Sequence, residues 1–115
     1  MCSDEVAKNY TSDTKRGSLY LYPKLMLANL RILIFSGDTD GAVPLNGTLA
    51  WINNLNLAVV SPWRSWLLNS LVGGYTVKYQ GLTLVTVKGV GHMVPQWARD
   101  RALYMFTKYL NNQDI

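Results

Sequence analysis

The sequence holds a single histidine, His92, within Gly89-Val90-Gly91-His92-Met93-Val94-Pro95. Upstream, two acids stand in Gly37-Asp38-Thr39-Asp40-Gly41, and the gap from Asp40 to His92 is 92 − 40 = 52 residues. Each stretch follows a short apolar run, breaks it with glycine, and leads to a proline that can open a helix. In open α/β sheets, ligands bind beyond the carboxyl ends of the strands. An acid at one strand end and a histidine at another can meet there. A carboxylate bonded to one imidazole nitrogen fixes the tautomer and stabilises the imidazolium, leaving the other nitrogen to take a proton from a nucleophile. Each residue also has a plainer reading. Asp beside Gly is a common turn element, because a short polar side chain bonds its own backbone. A lone His in a Gly-rich loop is often structural. The pattern alone does not choose between Asp38 and Asp40.

Other chemistries find less support. There is no second histidine, and the His-x-x-x-His and Cys-x-x-Cys spacings of metal sites are absent. Neither glycine-rich stretch matches a phosphate-binding loop. No metal and no cofactor is expected. None of the serines (Ser3, Ser12, Ser18, Ser36, Ser61, Ser65, Ser70) has the two glycines of a G-x-S-x-G nucleophile elbow; at Ser36, Ile34 occupies the first glycine position.

The elements that must position these groups read as an α/β pattern. Residues 1–16 are polar and loop-like. Pro23 opens a short helix to about Asn29. Arg31 to Phe35 is a buried strand with a hard stop. Pro44 opens a helix with Leu45, Leu49 and Ile52 on one face, ending near Asn53-Asn54. Residues 57–72, with Pro62, Trp63 and Trp66, read as an irregular loop packing aromatics. Gly73-Gly74 breaks the chain before a hairpin: Tyr75, Val77 and Tyr79 alternate with polar residues, Gln80-Gly81 turns, and Leu82 to Lys88 follows. Pro95 opens the last helix, with Ala98, Ala102, Met105, Phe106, Tyr109 and Leu110 as its apolar face. A strand of the parallel type needs cover on both faces. This order (strand, helix, β-hairpin, helix) offers little cover, so the fold is expected to be incomplete on its own.

Composition sets the bounds. The chain has 115 residues, 49% hydrophobic and 16% charged, which suits one globular domain. No apolar run approaches the ~20 residues of a membrane span. The net charge is +4 and the pI about 9.3. The basic residues are scattered along the chain, which argues against a nucleic-acid surface. Cys2 is the sole cysteine, so no intrachain disulfide forms. Sequons stand at Asn9 and Asn46. The N-terminal stretch has no apolar core of a signal peptide.

Several segments resemble the serine carboxypeptidases, closest to the plant-like branch. Phe35-Ser36-Gly37-Asp38-Thr39-Asp40-Gly41 with Val43-Pro44 resembles their acid-bearing segment. Val87 to Pro95 resembles their histidine signature. Leu21-Tyr22-Pro23-Lys24-Leu25, Pro62-Trp63-Arg64-Ser65-Trp66 and Val72-Gly73-Gly74-Tyr75 resemble further segments in the family's order, so the likeness covers nearly the whole chain. The resemblance implies that residues 1–115 are the C-terminal segment of an α/β-hydrolase fold, in which the triad runs Ser, then acid, then His. It implies Asp40 as the triad acid, His92 as general base and Asp38 as a turn-shaping residue. It implies that Met93 and Val43 shape the pocket for the substrate's C-terminal residue, and that Trp63, Trp66 and Trp97 pack. The nucleophile would lie upstream, on a segment or chain disulfide-linked through Cys2, and these residues alone would be inactive. The implied reaction is release of C-terminal residues from peptides, in a vacuole or lysosome or outside the cell. Two rivals are a family acyltransferase and a non-catalytic module. A fragment of a larger sheet is expected to expose Ile32, Ile34, Val85 and Val87.

Overall fold

The computed structural model describes residues 3–6, 8 and 17–115. Cys2 and the Asn9 sequon lie outside the described residues. The chain divides into two compact units, Met1–Leu30 and Arg31–Ile115. In the first, a 3₁₀ turn at Leu19–Leu21 runs into helix α1, Tyr22–Leu27. Pro23 sits in its first turn, where a missing N–H costs nothing. The helix ends with Asn29 at φ 56°, and the Leu30 N–H returns to the Leu25 carbonyl at 3.1 Å.

The second unit is α/β, as expected. Its elements are β1 (Ile32–Gly37), α2 (Leu45–Asn53), β2 (Val59–Leu68), β3 (Leu71–Tyr79), β4 (Leu82–Val87), α3 (Val94–Trp97) and α4 (Arg99–Leu110). The sheet order is β1-β4-β3-β2. β1 and β4 run parallel, with Ile32 opposite Leu82 and Gly37 opposite Val87. The other pairs are antiparallel. β4 is buried on both faces, as a strand in a parallel pair should be. Val85 and Val87 join Trp66, Val90, Val94, Ala98, Ala102, Met105 and Ile115 in one cluster. Phe35 meets Phe106 of α4 edge to face at 5.7 Å. α2 packs against β1 and buries Thr48 and Ile52.

The structure corrects several expectations. Residues 59–68 form a strand, not an irregular loop. Three register shifts against β3, one beside Pro62, break its alternation and hid it in the sequence. A two-residue turn joins β2 to β3: Asn69 and Ser70 both take positive φ, 52° and 65°, as a type I′ hairpin requires. The last helix is two: α3 ends at Trp97, and Ala98 at φ −130° separates it from α4. On the apolar face of the last helical segment Ala98, Ala102 and Met105 are buried, whereas Phe106 and Leu110 are exposed. Val85 and Val87 are fully buried, and Ile32 and Ile34 half-buried, because the α3–α4 segment covers one face of β4 and α2 packs on β1. Trp66 packs, Trp63 is half-exposed against Tyr75 (centroids 5.8 Å, 9° between planes), and Trp97 is 72% exposed.

Gly73-Gly74 does not break the chain. The pair lies inside β3, beneath the Trp66 indole. A Cβ at Gly73 would overlap the indole, and one at Gly74 would overlap the Thr86 carbonyl. The absence of side chains lets Trp66 cross β3 and donate from Nε1 to the Thr86 oxygen on β4 at 2.9 Å. The other indole surface stacks on Tyr104 of α4 at 5.8 Å. One side chain therefore ties three strands and a helix together. Trp66→Ala should cost about 3–5 kcal/mol through the lost packing and the orphaned carbonyl. Gly74→Ala, which adds one methyl group, should cost about 3 kcal/mol by overpacking. Urea unfolding of the two variants beside the wild type checks both; a Gly74→Ala variant of wild-type stability would contradict the crossing.

Candidate active site

β1 and β4 end at the same edge of the sheet, and the two glycine-rich loops leave from there. Asp38 N–H continues the ladder to Val87 O at 3.1 Å, and Thr39 N–H reaches Val90 O at 3.2 Å. The approach is close because residue 37 has no side chain: a Cβ there would overlap the carbonyl oxygens of Val90 and Gly91. The acid loop then turns, with Asp40 N–H bonded to Gly37 O at 3.3 Å.

At this junction His92 Nδ1 lies 3.0 Å from Asp40 Oδ2. An ionised carboxylate only accepts, so Nδ1 is the donor, and in the neutral imidazole this tautomer leaves the lone pair on Nε2. The other carboxylate oxygen, Oδ1, accepts the N–H groups of Ala42 at 2.8 Å and Val43 at 3.0 Å. The Asp40 side chain is 7% exposed and that of His92 is 58% exposed. The carboxylate is sequestered and the imidazole is open. The Val43 N–H bond does most to hold the Asp40 carboxyl below its ordinary value of 3.8, followed by the His92 hydrogen bond. Burial opposes the shift and is outweighed.

A recess of about 150 Å³ opens beside the pair, lined by Phe35, Ser36, Gly37, Asp40, Val43, Thr48, His92 and Val94. Val43 is 53% exposed, and Met93, next to His92 in the chain, is 52% exposed. Of the four residues singled out in the sequence, Asp40, His92 and Val43 line one recess, whereas Met93 is not part of its lining. Thr48 was missed. Its spacing from Leu45 and Ile52, three and four residues, places it on the same helix face and was the available signal. Asp38 does more than shape a turn: its Oδ1 accepts the Gly89 N–H at 2.6 Å, across the two loops. Among the described residues no group of His, Cys, Asp and Glu could hold a metal ion, and no helix is long and apolar enough to cross a membrane.

The model of the family described as serine carboxypeptidase matches residues 1–112. The chain belongs to that family. Serine carboxypeptidase 24 of Arabidopsis thaliana is 41% identical over 114 residues, 99% of this chain and 24% of the relative. Serine carboxypeptidase-like 26 of the same plant is 42% identical over 114 residues, 99% of this chain and 25% of the relative. Putative serine carboxypeptidase-like 23 is 41% identical over 110 residues, 96% and 24% respectively. The chain thus spans about a quarter of the length of the curated serine carboxypeptidase relatives it matches.

The lowered pKa of Asp40 has a thermodynamic sign. Its carboxylate stabilises the fold fully above the ordinary value of 3.8, and the contribution disappears as pH falls through the lower folded-state value. The stability gap between wild type and Asp40→Asn should therefore be widest above that value and shrink as the solution is acidified below it. Denaturant unfolding at a series of pH values reads this directly. A gap that grows on acidification would reverse the assigned sign.

Proposed function

We propose that this chain supplies the acid and the general base of a serine-type carboxypeptidase, with Asp40 orienting His92. The contact that supports the reading is the 3.0 Å bond between His92 Nδ1 and the sequestered Asp40 carboxylate. It leaves Nε2 basic on a residue that borders an open recess. The serine hydroxyl is supplied by a segment outside these residues, since no serine here stands in a nucleophile elbow. As that oxygen attacks the peptide carbonyl carbon, His92 Nε2 takes its proton. The proton then passes to the departing amine nitrogen as the C–N bond breaks, leaving an acyl-enzyme and a free C-terminal residue. Water enters by the same route: His92 accepts its proton, hydroxide adds to the ester, and the serine oxygen leaves with the proton returned. Val43 and Met93 supply half-exposed apolar surface for the side chain of the released residue.

The partner carrying the serine is proposed to be disulfide-linked through Cys2, and the working site to lie in a vacuole or lysosome or outside the cell. The substrate is a peptide; neither nucleic acid nor membrane is a partner in this reading. Residues 1–115 alone should not hydrolyse an N-blocked dipeptide. In the protein as expressed from its own gene, His92→Ala should lower kcat at least about 10³-fold with little change in KM. Full hydrolysis by His92→Ala would sink the assignment of the base. Turnover by the isolated 115 residues that disappears with His92→Ala would place the nucleophile within this chain.

A further inference from the structure

Asp38 lies two residues before the acid, yet its carboxylate leaves its own loop. Oδ1 accepts the Gly89 N–H at 2.6 Å, from a residue 51 positions away. With Asp40 on His92, the two contacts close a circuit. One side is Asp38-Thr39-Asp40 and the other is Gly89-Val90-Gly91-His92, tied at each end by a carboxylate and braced in the middle by Thr39 N–H to Val90 O. We propose that Asp38 is a positioning residue for His92, holding the loop of the base level with the acid. The proposal rests on reading Asp40 and His92 as acid and base.

The physical case begins with the openness of the histidine. Within these residues the ring is 58% exposed and gains little steric guidance from packing, so what this chain contributes to its position comes largely through its backbone. That backbone starts three residues earlier at Gly89, whose φ of 67° turns the chain out of β4. The preceding N–H, on Lys88, points the other way, to Gly73 O on β3 at 2.8 Å. Gly89 thus presents its N–H toward the loop after β1, and Asp38 receives it. A hydrogen bond to an ionised acceptor is roughly twice as strong as a neutral one. An aspartate that only shaped a turn would bond within its own loop, as Asp40 does with Ala42 and Val43. Asp38 spends its bond on the opposite loop, where a displacement of about 1 Å at a reacting group can cost 10²-fold in rate.

The test uses the protein as expressed from its own gene, together with any chain it assembles with, and an N-blocked dipeptide as substrate. Asp38→Ala should lower kcat about 10–100-fold while KM stays within about twofold, and should shift or broaden the downfield proton resonance of His92 Nδ1–H. Asp38→Asn keeps an acceptor oxygen at the same reach, and should restore the resonance and bring kcat to within about fivefold of wild type. Asp38→Ser keeps a turn-forming side chain too short to reach Gly89; it should behave like Asp38→Ala and serves if that variant does not fold. Wild-type kcat per folded molecule in Asp38→Ala or Asp38→Ser, or an unmoved Nδ1–H resonance, overturns the proposal. If those variants are normal while His92→Ala is inactive, only the positioning role falls. If His92→Ala is itself fully active, the acid–base reading falls and takes this one with it.

Discussion

Two strands that are neighbours in the sheet but far apart in the chain set everything else in this structure. β1 and β4 run parallel in register, with Gly37 beside Val87, so the loops that leave them begin at the same level and on the same edge. No tight turn can join parallel strands, and the chain must return before the second begins. Here the return is α2 followed by the β2–β3 ribbon. A slip of one residue between β1 and β4 would move Asp40 by about 3.3 Å relative to His92. That is more than a hydrogen bond tolerates. The meeting of Asp40 and His92 is a property of strand register before it is a property of either loop.

Packing defends that register from both sides. β4 is buried on each face, so a slip of one residue would exchange its two packed layers and misfit both. Trp66 pins β4 from the far side, reaching across the glycine pair of β3 to the Thr86 carbonyl. Gly37 acts on the near side, where the missing side chain lets the two loops touch. The devices are unrelated chemically, and each depends on glycine leaving room for something specific to enter.

Much of this was legible in the sequence, for identifiable reasons. Apolar runs that stop at glycine-rich turns gave β1 and β4 and the two loops, because a buried strand and a sharp exit leave a strong local pattern. Pro44 and the spacing of Leu45, Leu49 and Ile52 gave α2. What failed was whatever depends on a distant partner. β2 carries a proline and three register shifts, and its pairing shows only when β3 is beside it. Gly73-Gly74 looked like a break because a glycine in sequence does not say whether the chain turns or a neighbour passes over it. Asp38 and Asp40 look alike within their loop; the residues each one bonds distinguish them. Trp97 was expected to pack and is exposed, since a tryptophan near a helix end carries no mark of which side faces solvent.

The unequal exposure of Asp40 and His92 has a consequence for the cost of moving charge. In water, a new positive charge is stabilised only after surrounding dipoles rotate toward it, and that rotation is part of the barrier. Around Asp40 the dipoles are already fixed: two backbone N–H groups and an imidazole hold the carboxylate in one orientation, with solvent largely excluded. A proton taken up on the open side of the ring would meet a negative field already fixed on the Asp40 side, so only the water on the open side is left to reorganise. The folding free energy of the two loops has done that work in advance.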